Sequence, residues 1–203
     1  ARCRAAAAFF HALPEAQRNA TLVLVNSAGS LNGPNARHRD GRIVFESTPM
    51  LELLESSLSV PGRLLHGEFM SWDTVTNGLV ARHFVDAVVA VWRPSEPLPV
   101  DVFTSDFHRD RTAEAFAWAM SASPAAPVDL TVHGAPTDAR WLGGRAALEA
   151  RLRHEEAGVE ALRRRRKDVR TLAELQGFVL LGGHGGLRAY LHGGYNKSSG
   201  GGW

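Results

Sequence analysis

The chain has 203 residues, 44% hydrophobic and 22% charged, which is the composition of an ordinary globular domain and excludes wholesale disorder. Its 23 basic and 21 acidic residues leave a net charge of +2, too small an excess to indicate nucleic-acid binding. One cysteine excludes an intrachain disulfide, and no apolar run reaches the roughly 18 residues of a transmembrane helix. We therefore expect a soluble domain, intracellular rather than secreted.

Hydrophobic periodicity and capping signals divide the chain into alternating helices and strands. The predicted helices cover residues 2–13, 47–60, 75–92, 107–120 and 143–167. The predicted strands cover residues 21–25, 63–66, 100–103, 128–132 and 178–181. Pro14 and the polar residues 15–19 are expected to close the first helix. In the third helix, an apolar stripe recurs every four residues, at Val80, Phe84, Val88 and Trp92.

This alternation predicts the α/β class, with a doubly wound, mostly parallel sheet between two helix layers, which is a Rossmann-like three-layer sandwich. We expect one domain over residues 1–181. The glycine-rich residues 182–203 are expected to be at least partly flexible.

Ligands of such sheets bind beyond the carboxyl ends of the strands. Three segments that follow predicted strands are rich in small hydroxyl and amide side chains: residues 26–29, 68–77 and 104–111. Helix N-termini carry a partial positive charge and favour phosphate or carboxylate. The three segments therefore predict a site for an anion, with Ser27 and Gly29 contributed by the first of them.

The third segment offers the clearest chemistry. Thr104 and Ser105 directly follow a predicted strand, and His108 and Arg111 are three residues apart and share a helix face. An imidazole and a guanidinium so placed can address one anion. A capped helix with a solvated charged first turn is the alternative interpretation.

The second segment contributes Glu68, Ser71, Thr74 and Asn77. Glu68 follows a strand and is a candidate base or ribose ligand. Ser71 is equally suited to capping the next helix, whereas Asn77 is placed one turn inside it.

Two motifs stand in order between these segments: Glu68-x-x-Ser71-x-x-Thr74-x-x-Asn77 and Thr104-Ser105-x-x-His108-x-x-Arg111. Together they resemble the YdcF/SanA/ElyC-like family, a family of unknown function. Asn26-Ser27-Ala28-Gly29 falls where that family has a small-residue turn, and no clear match extends past Val132. The resemblance implies a Rossmann-like sandwich whose polar pocket binds a nucleotide-like or other anionic ligand. It implies no settled reaction and no particular cofactor.

The chain departs from that family at its beginning, because members usually open with an apolar strand and this chain opens in a helix. That strand would be central to the sheet, so it is either missing or replaced. Residues 177–183, an apolar run followed by glycines, are a candidate for the central position, and an edge or late strand is the alternative.

The leading hypothesis is an enzyme, a hydrolase or transferase, acting on a nucleotide-like or phosphorylated small molecule. His108 is the expected acid or base, with Glu68 as base or ribose ligand. The ligand-binding set is expected to be Ser27, Gly29, Ser71, Thr74, Asn77, Thr104, Ser105 and Arg111. The rival hypotheses are a non-catalytic binding or regulatory module, and an envelope-associated protein anchored by residues outside this sequence.

Other features of the sequence favour simpler explanations. The basic run over residues 163–167 points in all directions on a helix, which favours a solvated helix end over a nucleic-acid patch. The glycines over 182–186 fit no phosphate-loop spacing. The nine histidines include no HExxH motif, so we expect no tightly held metal, while a transient divalent ion brought by an anionic substrate stays open. The sequence does not specify an oligomeric state.

Overall fold

A computed structural model describes residues 1–29, 36–123 and 127–181 of the chain. These ranges hold seven α-helices: α1 (Arg2–Ala12), α2 (Glu15–Asn19), α3 (Ser47–Glu52), α4 (Thr74–Trp92), α5 (Arg109–Ser121), α6 (Arg145–Arg166) and α7 (Leu172–Leu180). They also hold four strands: β1 (Val23–Val25), β2 (Leu65–Gly67), β3 (Leu98–Ser105) and β4 (Val128–Ala135). The predicted glycine-rich segment over 182–203 lies outside the described residues. Within them the chain is a mixed α/β protein.

The strands form two separate two-stranded sheets, and both pairs are parallel. In the first sheet β1 pairs with β2, with Val23 opposite Leu65. In the second sheet β3 pairs with β4 over eight residues, from Leu98 opposite Val128 to Ser105 opposite Ala135. Parallel pairing agrees with the predicted α/β class. Chain contacts divide the molecule into two compact units, Ala1–Asp73 and Thr74–Trp203.

The first unit is built around the β1–β2 pair. Its core joins Phe10 of α1 to Val25 of β1 and to Leu54, Val60 and Leu64, which precede β2. Helix α3 continues into a single wider π-helical turn over Leu53–Ser57 and stops before Pro61, as the sequence predicts. Helix α3 begins at Ser47 without a side-chain cap, and the Ser47 hydroxyl donates to the carbonyl of Glu68 at 2.9 Å.

Residues 15–19 form helix α2 instead of the expected polar connection. Pro14 precedes the helix with the fixed φ that suits a helix start, and Glu15 places a negative charge at its positive N-terminal end. A five-residue polar helix has no apolar stripe, which explains why periodicity did not reveal it.

The second unit is built on α4, α5, α6 and α7. Trp118 of α5 is almost fully buried among apolar residues of all four helices. Its indole N–H donates to the carbonyl of Val169 at 2.8 Å, so the connection between α6 and α7 is tied to α5. Strands β3 and β4 alternate exposed and half-buried positions, as predicted for residues 128–132.

The expected strand over 178–181 is wrong, because Leu172–Leu180 is helix α7. Thr171 and Glu174 form a reciprocal capping box that begins a helix at this point. Leu175 and Val179, four residues apart, are both buried in the core of the unit. A short apolar run is compatible with a buried helix as well as with a strand. Here the capping box of Thr171 and Glu174 favours the helix. The run therefore does not supply a central strand.

The buried face of α4 also differs from the predicted stripe. Its buried residues include Val75, Gly78, Leu79 and Val85, and also the charged side chain of Arg82. The predicted stripe instead ends in Trp92, which is 52% exposed. Val80, Phe84 and Val88 of the stripe are half-buried, so periodicity alone does not identify the most buried face of this helix.

Gly78 marks the closest approach of α4 and α5. A Cβ atom at this position would lie 3.2 Å from the carbonyl oxygen of Ala115 and 3.2 Å from the Cβ of Ala119. We expect Gly78→Val to lower the free energy of unfolding by about 1–3 kcal/mol, because the added methyl groups overpack this crossing. Urea denaturation measures the loss.

Gly177 of α7 provides the matched control for that substitution. A Cβ atom at Gly177 meets nothing within 4 Å. We therefore expect Gly177→Ala to raise stability by about 0.5–1 kcal/mol through helix propensity alone. Equal effects of the two substitutions would contradict the close packing of α4 on α5.

Candidate functional site

Polar side chains gather at the carboxyl ends of β1 and β2, in the first unit. Ser27 is buried, and its hydroxyl donates to Glu46 Oε2 at 3.0 Å and lies 3.3 Å from the Gly29 carbonyl oxygen. Its φ of 134° lies in a region that residues other than glycine rarely adopt. The Ala28 N–H donates to the carbonyl of Ser71 at 2.7 Å, so the two strand ends are joined there. The structure thus brings the first predicted segment to the start of the second.

Glu68 is buried, and its carboxylate accepts hydrogen bonds from within its own loop. Oε1 accepts the backbone N–H groups of Met70 and Ser71, the latter at 2.6 Å, and Oε2 accepts the Ser71 hydroxyl. Ser71 is fully buried. These bonds fix the loop that follows β2. The assignments of Glu68 as base and of Ser71 as ligand donor stay predictions, and the loop gives both side chains a structural role.

The second unit holds a hydroxyl, an imidazole and a carboxylate in one hydrogen-bonded line. Thr74 Oγ1, on the first residue of α4, lies 3.0 Å from His108 Nε2. On the other side of the ring, His108 Nδ1 lies 2.5 Å from Glu155 Oε2 on α6. Thr74 is 8% exposed, and the side chain of Glu155 is 5% exposed. We call Thr74, His108 and Glu155 the relay.

His108 is positioned by the short turn that follows β3. Asp106–His108 form one 3₁₀ turn, and His108 is the residue immediately before α5. Asp106 accepts hydrogen bonds from the N–H groups of Phe107 at 2.7 Å and Thr137 at 3.2 Å, which ties the turn to the chain beyond β4. A Cβ atom at Gly134 would lie 3.0 Å from the Asp106 Cα, so this close packing requires glycine.

Glu155 is held charged by its neighbours. Burial raises the pKa of Glu155, but the hydrogen bond with His108 and the His108 charge oppose this effect. The positive charges of Arg111 and Arg151 act in the same direction, so the pKa of Glu155 stays below its ordinary value of 4.5. Arg111 Nη1 lies 3.6 Å from Oε2, and Arg151 Nε lies 3.1 Å from Oε1. The carboxylate is therefore ionised at neutral pH.

An ionised Glu155 selects the tautomer of a neutral imidazole at His108. Because a carboxylate only accepts, Nδ1 of His108 must carry the proton that is shared with Glu155. In the neutral ring Nε2 is then an acceptor, and the Thr74 hydroxyl donates to it. This is the tautomer in which an imidazole can remove a proton from a hydroxyl group.

Arg111 reaches Glu155 by crossing α6 at Gly158. A Cβ atom at that glycine would lie 2.9 Å from Arg111 Cδ and 3.0 Å from Nε. Across residues 1–29, 36–123 and 127–181, Arg111 Nε has no hydrogen-bond partner. The guanidinium thus pairs with Glu155 through Nη1, while its Nε–H group is an unused hydrogen-bond donor within the described residues.

Three other predicted ligand-binding residues of the second unit lie outside the relay: Thr104, Ser105 and Asn77. Thr104 is buried in β3, and the Thr112 hydroxyl donates to its oxygen at 3.4 Å. Ser105 ends β3, and its side chain makes no cap hydrogen bond to the turn that follows. Asn77 lies half-buried on the first turn of α4, as predicted. His108 and Arg111 share Glu155 as a partner, and their predicted contact with an anion stays a prediction.

Glu155 and Gly158 are the residues that sequence reasoning missed. Glu155 falls on the same stripe as Leu148, Leu152 and Val159, so a carboxylate interrupts the apolar face of α6. A charged residue at a core position is a recognisable signal, because burying it requires a partner. A lone glycine inside a long helix is a second signal.

The basic run at the end of α6 is used within the second unit. Arg163 lies 3.1 Å from Glu114 and 3.1 Å from Glu160, and Arg166 lies 3.5 Å from Glu114. Arg165 stacks over the ring of Phe178, 5.3 Å from its centre. These contacts hold α6 against α5 and α7. The helix end that was predicted to be solvated therefore also packs against its neighbours.

Neither a membrane-spanning helix nor a metal site occurs over residues 1–29, 36–123 and 127–181. No helix there has the length and apolar character needed to cross a membrane. No group of three or more His, Cys, Asp or Glu side chains there is arranged to hold a metal ion. Comparison of the chain with protein-family models, curated proteins and solved structures finds no match.

Proposed function

We propose that the chain is a YdcF-like protein that binds a nucleotide-like or other anionic small molecule and acts on it as a hydrolase or transferase. The single observation that carries the proposal is the relay, in which His108 links the Thr74 hydroxyl to a buried, charged carboxylate. A histidine held in one tautomer by a carboxylate is the usual arrangement for general acid–base catalysis. The family and its Rossmann-like sandwich are part of the proposal, supported by the two motifs that contain Thr74 and His108.

The charges around the relay support an anionic ligand. Two guanidinium groups, Arg111 and Arg151, surround the one carboxylate of Glu155, which leaves an excess of positive charge. Thr74 stands at the start of a helix of 19 residues, where the helix dipole adds a partial positive charge. Arg111 Nε, which lacks a hydrogen-bond partner in the described part of the chain, can donate to the ligand.

Calorimetric titration with adenosine monophosphate and with inorganic phosphate tests the binding step. Loss of a charge-assisted hydrogen bond costs about 1.5–3 kcal/mol, so we expect Arg111→Met to weaken binding by roughly 10- to 150-fold. Arg153→Met is the matched control, because Arg153 is exposed on α6, and we expect it to bind as the wild type does. Equal weakening in both variants would mean a diffuse charge effect and no site at Arg111.

Turnover is tested separately, with p-nitrophenyl acetate and p-nitrophenyl phosphate as substrates. We expect His108→Ala to lower the rate by about 10²- to 10⁴-fold without unfolding the chain, since general acid–base catalysis contributes that much. Unchanged turnover in this variant would remove the catalytic role of His108. Ligand binding without any turnover would instead identify the non-catalytic module.

A further inference from the structure

The hydroxyl of Thr74 is in the position of a nucleophile. It faces the one ring nitrogen of His108 that Glu155 does not engage, at 3.0 Å. A threonine hydroxyl is a weak nucleophile by itself and becomes reactive when an adjacent base removes its proton. Nucleophile, base and orienting carboxylate, each within hydrogen-bond reach of the next, are the three parts of such a group.

The surroundings of Thr74 suit the charge that its attack would create. Thr74 begins α4, and the first N–H groups of a helix have no acceptor within the helix. Attack on a carbonyl carbon converts the carbonyl oxygen into an oxyanion, which backbone N–H groups stabilise. The positive end of the α4 dipole lies beside the hydroxyl and favours such a negative charge.

The two arginines nearest the relay are paired with Glu155, and this pairing favours acyl transfer over phosphoryl transfer. Phosphoryl transfer depends on several cations gathered around the transferred group. In the second unit, Arg111 and Arg151 both lie against Glu155, at 3.6 Å and 3.1 Å, and steady the carboxylate of the relay. A hydroxyl–imidazole–carboxylate line is the arrangement that acyl transfer uses.

We propose that Thr74 is a catalytic nucleophile that accepts an acyl group from an ester or thioester whose remaining part is anionic. This inference rests on the proposed function and adds a covalent intermediate to it. Oγ1 bonds to the carbonyl carbon while the bond to the alcohol or thiol breaks. His108 Nε2 receives the proton of Oγ1 and passes it to the leaving group. Water, activated by the same nitrogen, then releases the carboxylic acid and restores the hydroxyl.

A fluorophosphonate probe tests the nucleophile without knowledge of the natural substrate. The activated oxygen bonds to phosphorus, fluoride leaves, and His108 accepts the proton. Intact-mass measurement followed by peptide mapping should place a single adduct on Thr74 of the wild type. We expect labelling to fall by about 10²- to 10⁴-fold in His108→Ala and to be absent in Thr74→Ala.

Two further variants keep the test decisive. Thr74→Ser retains the hydroxyl and should be labelled, which separates a lost nucleophile from a misfolded chain. Thr131→Ala, at an exposed position on β4, should be labelled as the wild type is. An adduct on another residue, or an unlabelled wild type, would overturn the inference.

The outcomes separate this inference from the function on which it rests. Adenosine monophosphate or phosphate binding that depends on Arg111, together with turnover that depends on His108 but no adduct at Thr74, would leave the proposed function in place. Water would then be the direct attacking group. An adduct at Thr74 with no binding of either anion would keep the nucleophile and remove the anionic ligand.

Discussion

Replacing Glu155 with glutamine should lower turnover of p-nitrophenyl acetate by about 10²- to 10⁴-fold, with most of the loss in kcat. The amide of glutamine can donate to Nδ1 of His108, which would place the ring proton on Nε2 and remove the acceptor that faces Thr74. Glu156→Gln is the matched control, because the neighbouring Glu156 is exposed. We expect that control to keep wild-type kinetics.

The same carboxylate should make stability depend on pH. The pKa of Glu155 is lower in the folded chain than its ordinary value of 4.5, so the folded state favours the charged form. Its contribution is therefore fully present above pH 4.5 and is lost as the pH falls through the lower, folded value. Urea unfolding of the wild type and of Glu155→Gln should show a stability difference that is constant above pH 4.5 and shrinks as the pH falls below it. A difference that grows on acidification would contradict the ionised carboxylate.

Replacing Asp86 with alanine should lower the free energy of unfolding by about 3–5 kcal/mol, the usual cost of leaving a buried charge without its partner. The side chain of Arg82 is fully buried on α4, where it forms an ion pair with Asp86 and donates to the carbonyl of Met120 at 3.2 Å. A loss of this size is a large part of the 5–15 kcal/mol that stabilises a typical domain. Chemical denaturation followed by circular dichroism measures it.

The double substitution Arg82→Met with Asp86→Leu is the control for this prediction. Apolar residues of similar size often replace a buried ion pair at little cost, so we expect the double variant to recover most of the stability. Failure of the double variant to recover would mean that packing at these positions, and not the unpaired charge, dominates the loss.

The parts of the fold that local pattern determines were predictable from the sequence. The β3–β4 pair and helix α5 lie close to their expected residues, because β-branched runs and helical periodicity are local signals. Helix α7 was not predicted, since its apolar run suits a buried helix and a strand equally. The buried face of α4 also escaped prediction, because a charged residue, Arg82, occupies a core position and is satisfied only by tertiary contacts.

His108 and Thr74 of the candidate site were predicted from the sequence, and Glu155 was not. His108 was recognised because an imidazole after a strand end is a local feature, and the structure places it beside Thr74 of the second segment. Glu155 lies beyond the residues that the two motifs span, and its role depends on α6 packing against the turn at His108. Arg111 also pairs with this carboxylate, and its predicted role toward an anionic ligand stays a prediction. Proximity of this kind is set by the fold and has no local signature.

The long sequence separation within the relay has a consequence for biosynthesis. His108 is 34 residues from Thr74, and Glu155 follows 47 residues after His108. Contacts that close such loops form late, because the entropy of chain closure must be overcome first. A nascent chain that has emerged only as far as β4 contains the imidazole but lacks the carboxylate that orients it. Reactivity would therefore be withheld from incomplete translation products and acquired only when α6 docks.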